Sequence, residues 1–115
     1  MNAGDIYFVS LDPTAGHEQR GTRPILVITS GRFNRLTHTP LVAPITTGGQ
    51  FARTNGFAVD LSSSGTKTTG IIRCDQLRNL DLDARNARFV EKAPDDILDR
   101  VLDLIAEITE RKPVQ

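Results

Sequence analysis

The sequence predicts a mainly β fold with one helix, a small and strongly bent sheet or barrel capped by a C-terminal amphipathic helix. Five or six short apolar runs, separated by turn-forming residues, precede the point at which the apolar spacing changes to a helical period. The chain has 115 residues, which is enough for one hydrophobic core. We therefore expect residues 1–115 to form a single domain.

The predicted strands are runs of branched and aromatic residues that end at turn signals. The run at 24–29 is continuously apolar, which is typical of a strand buried on both faces, whereas the alternation at 56–61 predicts one buried face. Pro44 predicts an edge or a bulge in the third strand, because proline has no N–H to donate. In chain order the predicted strands are 6–11, 24–29, 41–46, 56–61 and 69–75, followed by a weaker extended segment around Phe89 and Val90.

The C-terminal helix is predicted over residues 94–113. Asp95 and Asp96 in the first turn, with Arg111 and Lys112 in the last, oppose the helix dipole in the stabilising sense. The apolar stripe of the helix is expected to pack on the core, with a partner-binding face as the alternative. The stripe consists of Ile97, Leu98, Val101, Leu102, Leu104, Ile105 and Ile108.

The composition excludes several classes of protein. Hydrophobic residues make up 38% of the chain, so it can bury a core and is not a disordered segment. No apolar run is long enough to cross a bilayer and the N-terminus lacks the pattern of a signal peptide, so we expect a cytoplasmic protein without membrane association. The single cysteine excludes an internal disulfide and a cysteine-based metal site.

Charge is balanced overall but unevenly distributed. The chain has 14 basic and 14 acidic residues. Residues 13–80 carry eight bases against three acids, and residues 81–115 carry six bases against nine acids. A cationic face can attract a polyanion even when the net charge is zero. Ordinary solvated charges are the alternative interpretation.

Arg73 and Asp75 are the first candidate pair for chemistry. Alternate side chains on a strand share a face, so Arg73 and Asp75 are expected to lie together while Cys74 points to the other side. A guanidinium and a carboxylate placed side by side can shift each other's pKa, as an acid–base pair requires. A structural ion pair at the end of a strand is the alternative.

A polar loop at 14–23 contains His17, one of two histidines in the chain. Functional residues concentrate on loops, and an imidazole there can act as an acid, a base or a donor to a phosphate oxygen near neutral pH. A merely solvated histidine is the alternative. The other histidine, His38, lies beside a predicted strand start and is assigned no function.

Two further segments suit contacts with nucleic acid. Thr46 and Thr47 precede two glycines, so the segment offers hydroxyl and backbone N–H groups to a phosphate or a base, with an ordinary turn as the alternative. Phe51, Arg53 and Phe57 lie within a few positions of one another and can form a stacking platform for single-stranded bases. Packing of the two Phe residues in the core explains them equally well.

These candidates together favour cleavage of a phosphodiester without a metal. The sequence has no phosphate-binding loop, dinucleotide, zinc-spacing or nucleophile-elbow motif. The 2′-hydroxyl of RNA can serve as its own nucleophile if one group removes its proton and others stabilise the charge on the phosphorane. The set of cationic loops, Arg/Asp strand and histidine supplies such groups.

In these motifs the chain resembles the MazF/PemK/Kid endoribonuclease toxins of bacterial type II toxin–antitoxin modules, and most of all the Kid/PemK branch. An Arg-Pro pair at 23–24 and the pattern Thr-Gly-x-x-Arg-x-Asp-Gln at 69–76 occur in the family's order. The sequence departs from many members at Asp5, where Glu is common, and at Tyr7, where Trp is common. The resemblance extends over residues 4–6, 11–19, 21–24, 44–49, 51–54, 56–59 and 69–76.

The resemblance implies an SH3-like barrel with a C-terminal helix, assembled as a homodimer. It implies cleavage of single-stranded mRNA at short sequence motifs, without a metal or other cofactor, to leave a 2′,3′-cyclic phosphate and a 5′-hydroxyl. Translation and growth are then arrested. It also implies a cognate antitoxin of the MazE/PemI/Kis type, whose acidic C-terminal segment occupies the RNA groove.

The resemblance also assigns residue roles. Asp75 is implied as the general base on the 2′-hydroxyl, Arg73 as the general acid and phosphate stabiliser, and His17 as a further charge stabiliser. The expected RNA contacts are Asp5, Thr46, Thr47, Phe57, Thr69 and Ile71, to which the stacking platform adds Arg53.

Two other functions fit the same fold. A non-catalytic poison that binds DNA gyrase, as CcdB toxins do, depends on the C-terminal helix and needs no Arg/Asp pair. A plain SH3-like adaptor or RNA-binding module binds without cleaving. Fold alone does not separate these functions. The joint presence of His17, Arg73 and Asp75 favours the enzyme.

Overall fold

The structure is a computed structural model and describes residues 1–111. This part of the chain contains seven short strands and three helices. The elements are β1 Asp5–Ser10, β2 Thr22–Val27, α1 Gly31–Thr37, β3 Leu41–Thr46, α2 Gln50–Thr54, β4 Ala58–Asp60, β5 Ile71–Arg73, β6 Arg78–Asn79, β7 Arg88–Lys92 and α3 Asp95–Ile108. All strand pairings are antiparallel, in the order β4-β5-β3-β2-β1-β7, and β6 pairs with the beginning of β3.

The middle of the sheet is buried on both faces. Leu26 and Ile28 belong to a cluster that includes residues of α3, whereas Ile25 and Val27 belong to a second cluster on the other face. Leu80 and Leu82 close this second cluster. The continuous apolar run in the sequence is explained by this two-sided burial, because both sets of alternating side chains leave water. The prediction of a doubly buried strand is confirmed.

Helix α3 covers the first cluster with the apolar stripe that the sequence predicts. Ile97 and Val101 are 2% and 0% exposed, and Leu98, Leu104 and Ile105 pack against them. Leu102 and Ile108 remain partly exposed, at 41% each. The stripe therefore serves the core with most of its residues.

The end of α3 differs from the prediction. The helix ends at Ile108, where Thr109 donates both its N–H and its hydroxyl to the carbonyl of Ile105. No basic residue lies in the last turn, so the predicted pairing of basic side chains with the C-terminal dipole is wrong, while the acidic first turn is confirmed. Arg111 lies beyond the last turn, and residues 112–113 of the prediction lie outside the described residues.

A single side chain joins the two ends of the strand order. Glu91, on β7, accepts hydrogen bonds from the backbone N–H groups of Lys67 and Thr68 at 3.1 and 2.8 Å and from the Thr68 hydroxyl at 2.8 Å. Lys67 and Thr68 belong to the loop between β4 and β5, at the opposite end of the sheet. The sheet therefore curls into a small barrel, as the sequence predicts, and Glu91 bridges the seam of that barrel.

Several boundaries and short elements differ from the prediction. β2 begins at Thr22 and ends at Val27, two residues before the predicted bounds, and β5 is limited to three residues by the bend at Gly70 and the turn after Arg73. The sequence analysis predicted neither β6 nor the helices α1 and α2. α1 begins where Ser30 Oγ accepts from the N–H of Phe33. These elements have two to seven residues, too few for a hydrophobic period to show.

Of the two alternatives predicted at Pro44, an edge or a bulge, the edge is wrong, because Pro44 lies inside the sheet. β3 pairs with β2 on one side, where Pro44 is opposite Ile25. On the other side, β6 pairs with residues 41 and 42 and β5 pairs with residues 45 and 46. Pro44 therefore occupies the place where β3 changes partner, so the missing N–H costs no regular ladder hydrogen bond there.

Gly70 provides a test of how closely the start of β5 packs against the end of β3. Its φ is +109°, and a Cβ added there would overlap the carbonyl of Thr46. Gly70→Ala is expected to lower the free energy of unfolding by about 3 kcal/mol, because strain at positive φ and overpacking add together.

The matched control is Gly65→Ala, at φ +83° with nothing within 4 Å of the added Cβ. It should lose only about 1–2 kcal/mol, the cost of positive φ alone. Urea unfolding of the two variants measures the difference. Equal losses would show that the backbone around Thr46 gives way without cost.

Candidate active site

A cavity of about 510 Å³ brings together the three residues predicted to be catalytic. His17 comes from the loop between β1 and β2, while Arg73 and Asp75 come from the end of β5 and the turn after it. Phe51 of α2 and Gln76 complete the lining. Residues distant in sequence therefore share one concave surface, which is where reaction sites are normally found.

Arg73 and Asp75 form a bidentate ion pair. Arg73 Nε donates to Asp75 Oδ1 at 2.8 Å and Nη2 donates to Oδ2 at 2.7 Å, and the two side chains are 13% and 14% exposed. The hydrogen bonds from its guanidinium to Asp75 raise the pKa of Arg73 above its ordinary value, against the opposing effect of burial. The prediction that the two side chains share a face is confirmed, and the guanidinium is held in its charged form.

Cys74 points to the opposite side, as the alternation predicts. It is 2% exposed within the core cluster covered by α3. Burial, aided by the charge of Asp75, raises the pKa of its thiol to about 12. Cys74 is therefore a packing residue and no nucleophile, although it lies between the two charged residues in sequence.

Beside this cavity Phe51 and Phe57 form an aromatic pair, of which one ring is exposed. Phe51 is 66% exposed and Phe57 is half-buried, with ring centroids 6.3 Å apart and planes tilted by 43°. The core-packing alternative is thus wrong for Phe51. Arg53 faces away into a surface ion pair with Asp60 at 2.9 Å, so it does not line the cavity.

A second cavity, of about 390 Å³, contains three of the residues predicted to bind RNA. Arg23 Nη1 donates to the hydroxyl of Thr46 at 3.2 Å, and this hydroxyl also accepts from the N–H of Gly48. Lys67 supplies a second cation at the opposite wall. The lining residues are Phe8, Thr22, Arg23, Pro24, Ile45, Thr46, Thr47, Lys67, Thr68, Thr69 and Val90.

Gly49 lies close to both Thr46, which lines the second cavity, and Arg73, which lines the first. Its φ is +82°, and an added Cβ would lie 2.8 Å from Ile71 Cδ1 and 2.9 Å from Arg73 Cδ. The backbone at Gly49 therefore packs directly on β5 between Thr46 and Arg73. Ile71 is 0% exposed and packs beneath Gly49.

Four of the predicted site residues line neither cavity: Asp5, Arg53, Phe57 and Ile71. Asp5 is 9% exposed, and its carboxylate accepts a hydrogen bond from the N–H of Asn2 at 2.9 Å. Within residues 1–111, no group of three or more His, Cys, Asp and Glu side chains is placed to hold a metal ion. No helix of that part of the chain has the length and apolarity to cross a membrane.

Comparison with known proteins identifies the family of the chain. The model of a family described as "PemK-like, MazF-like toxin of type II toxin-antitoxin system" matches residues 2–109. The chain belongs to this toxin family. It is 53% identical over 108 residues to a protein of Escherichia coli named "Endoribonuclease PemK". The matched residues make up 94% of this chain and 81% of that relative.

Other proteins similar to this chain support its assignment to the toxin family. The chain is 45% identical over 100 residues to "Endoribonuclease toxin ChpB" of Escherichia coli strain K12, covering 86% of this chain and 85% of the relative. The crystal structure of MazF (Form-I) from Deinococcus radiodurans matches it with a TM-score of 0.84 at 30% identity, covering 94% of each chain. The predicted family, its Kid/PemK branch and its fold are confirmed.

Sequence reasoning missed two cations of this PemK-like surface. In the sequence, Arg23 belongs to the polar loop and the Arg-Pro motif, and Lys67 is one of the eight bases between residues 13 and 80. Both line the second cavity beside the predicted Thr46, Thr47 and Thr69. The adjacent threonines, Thr22 before Arg23 and Thr66 and Thr68 around Lys67, were the signal that could have found them.

Glu91 makes the wall formed by residues 67–69 sensitive to pH. Burial acts to raise the pKa of Glu91, but hydrogen bonds from Thr68 and Lys67 lower it below its ordinary value. A group with a lowered folded pKa stabilises the fold above its unfolded pKa, about 4.3, and this contribution is lost as the pH falls through the folded pKa. The free energy of unfolding should therefore drop more steeply below pH 4.3 in the wild type than in Glu91→Gln.

Urea unfolding at a series of pH values measures this difference. Glu107→Gln, on the exposed face of α3, is the control that removes the same charge elsewhere. Parallel curves for the wild type and Glu91→Gln would show that the three hydrogen bonds to Glu91 do not depend on its charge.

Proposed function

We propose that this chain is the toxin of a type II toxin–antitoxin module and cleaves single-stranded mRNA as an endoribonuclease. The observation that carries the proposal is the bidentate Arg73–Asp75 pair, which lines one cavity with His17. The names of its relatives, endoribonucleases PemK and ChpB, support the same chemistry. One domain over residues 1–115 carries the activity in the cytoplasm, where mRNA is translated.

Asp75 is the general base in this reaction. A carboxylate has about four lone-pair positions, so Asp75 can hold Arg73 with two of them and still accept the proton of a ribose 2′-hydroxyl. The 2′-oxygen then attacks the adjacent phosphorus, and the bond from phosphorus to the 5′-oxygen breaks. The products are a 2′,3′-cyclic phosphate and a 5′-hydroxyl, the latter formed when the leaving oxygen takes up a proton.

Arg73 is the phosphate stabiliser and the source of that proton. Its charged guanidinium offers donors to the phosphorane, where negative charge develops. The pKa of Arg73 is raised by Asp75, so the guanidinium keeps its proton in the resting protein. Once Asp75 has accepted the 2′-hydroxyl proton, its charge no longer raises the pKa of Arg73. Proton release by Arg73 becomes easier at the moment when the leaving oxygen needs it.

His17 and the second cavity complete the proposed site. His17 is exposed at the mouth of the first cavity, where its imidazole can donate to a phosphate oxygen. Thr46, Thr47 and Thr69 offer hydroxyl groups to the RNA backbone along the second cavity. The exposed ring of Phe51, beside Phe57, provides a surface on which a base can stack.

The proposed partners are a second copy of the chain and a cognate antitoxin of the MazE/PemI/Kis type. Solved structures of MazE-MazF from Deinococcus radiodurans are similar to this chain, one with a TM-score of 0.77 at 30% identity. Arg23 and Lys67 line a cationic cavity that suits an acidic peptide as well as RNA. The antitoxin would then inhibit by occupying the substrate surface.

The gyrase-poison alternative is the weaker one. It gives no role to the cavity of His17, Arg73 and Asp75. The relatives that share about half of the chain's residues carry endoribonuclease names. Binding without cleavage, as in an adaptor, likewise leaves the paired acid and base unexplained.

Asp75→Asn tests the general base directly. The asparagine side chain keeps the shape of the carboxylate but cannot take the proton, so cleavage of a defined single-stranded RNA in EDTA should fall by at least about 100-fold. Cleavage by the Arg73→Ala protein should fall by a similar factor. Mass analysis of the fragments made by the wild type should show cyclic phosphate ends.

Asp60→Asn is the control, because it removes a carboxylate from the surface pair with Arg53. It should cleave like the wild type. Wild-type cleavage by Asp75→Asn would refute the assignment of Asp75, and intact RNA with the wild-type protein would shift the weight to a gyrase-inhibition assay.

Lys67→Ala tests the second cavity as an RNA-binding surface. A lysine that contacts a phosphate releases a counterion on binding, so its loss should lower the slope of log affinity against log salt by about 0.7 for single-stranded RNA. The measurement is RNA binding by Asp75→Asn protein across a salt series. Arg100→Ala, on the exposed face of α3, is the control with the same charge change. Equal slopes for both variants would place the RNA elsewhere.

A further inference from the structure

Gln19 links the loop between β1 and β2 to the end of β5 in two ways. Its side-chain Oε1 accepts a hydrogen bond from Arg73 Nη1 at 3.0 Å. Its backbone N–H donates to Gln76 Oε1 at 3.2 Å. Gln19 is half-buried and lies 54 positions before Arg73. A neutral amide therefore completes the surroundings of the guanidinium.

These contacts fix the orientation of the guanidinium of Arg73. A guanidinium is planar and presents its five N–H groups in fixed directions. Nε and Nη2 bind Asp75, and Nη1 binds Gln19, so the group is held from two directions. One N–H on each of Nη1 and Nη2 is then left for a phosphate oxygen. Because the amide is uncharged, it holds Arg73 without competing with Asp75 for the positive charge.

The same residue anchors the segment that carries His17. Among the described residues, the hydrogen bonds that link residues 13–19 to the protein beyond this loop are the two made by Gln19. The other bonds of the segment stay within the loop, such as Ala15 N–H to Glu18 Oε1. His17 is two residues before Gln19, so their Cα atoms are at most about 7 Å apart. Anchoring Gln19 therefore keeps His17 near the cavity.

We propose that Gln19 is a positioning residue of the endoribonuclease, which sets the plane of the Arg73 guanidinium and holds His17 at the cavity. This inference rests on the proposed function. It predicts that Gln19 acts on the chemical step, through two other residues, and contributes little to substrate affinity.

The experiment is cleavage of a defined single-stranded RNA by Gln19→Ala under single-turnover and steady-state conditions. The kcat should fall by about 10-fold or more, because small misplacement of catalytic groups is costly, while KM changes little. The melting temperature should stay close to that of the wild type. Glu18→Ala is the matched control in the same loop, since the side chain of Glu18 bonds only to Ala15 within the loop. It should keep the wild-type kcat.

A double-mutant cycle with His17→Ala separates positioning from a general structural effect. Independent substitutions multiply their losses, whereas residues that act through one another do not. If Gln19 holds His17, then Gln19→Ala should cost less kcat in the His17→Ala protein than in the wild type. The remaining loss reports the part that acts through Arg73.

Three results would overturn the inference. The first is an unchanged kcat for Gln19→Ala. The second is a loss that Glu18→Ala shares equally, and the third is a loss confined to KM or to the melting temperature. If the wild type itself leaves every RNA intact, the proposed function fails, and with it the catalytic role of Gln19. Backbone ¹⁵N relaxation of residues 14–18 on the full chain then decides the structural part, since order equal in the wild type and Gln19→Ala refutes the anchor.

Discussion

Burial of the middle strands from both sides is the constraint on which the rest of the structure depends. Ile25 and Val27 pack on one face of β2, while Leu26 and the residue after the strand, Ile28, pack on the other. A chain of 115 residues can cover both faces only if the sheet bends around α3 and the outer strands come together. Glu91 bridges the remaining seam. Polar and charged groups are then left to the rim, where strands end, and both cavities lie there.

Prediction of structure from the sequence succeeds where one physical requirement decides the residue type. Two-sided burial requires an uninterrupted apolar run, so 24–29 was recognisable as a strand. One-sided burial of a helix requires a periodic stripe, so α3 was recognisable around Ile97 and Val101. Alternation along β5 separates Arg73 and Asp75 from Cys74, which the ion pair and the buried thiol confirm. In each case the signal lies within a few consecutive residues.

It failed where the deciding contact joins residues distant in sequence. The partner change at Pro44 depends on β5 and β6, which lie some 30 residues further on. Arg23 meets Thr46 and Gln19 meets Arg73 only because the barrel folds them together. Helix α2 has five residues and follows Gly49 at positive φ, so neither period nor capping side chain marks it. The end of α3 was misplaced because Thr109 caps the helix before the basic residues are reached.

The thiol of Cys74, the single cysteine of the chain, is unreactive toward oxidants and alkylating reagents. Peroxides and alkylating reagents react with a thiolate, and the raised pKa and burial of this thiol leave almost none of it available at neutral pH. The residue sits between a base and an acid in sequence, yet oxidants have no access to it while the barrel is closed. Oxidative stress therefore offers no route to silence this site through its thiol, and loss of activity under such stress must come from elsewhere in the chain or from its partners.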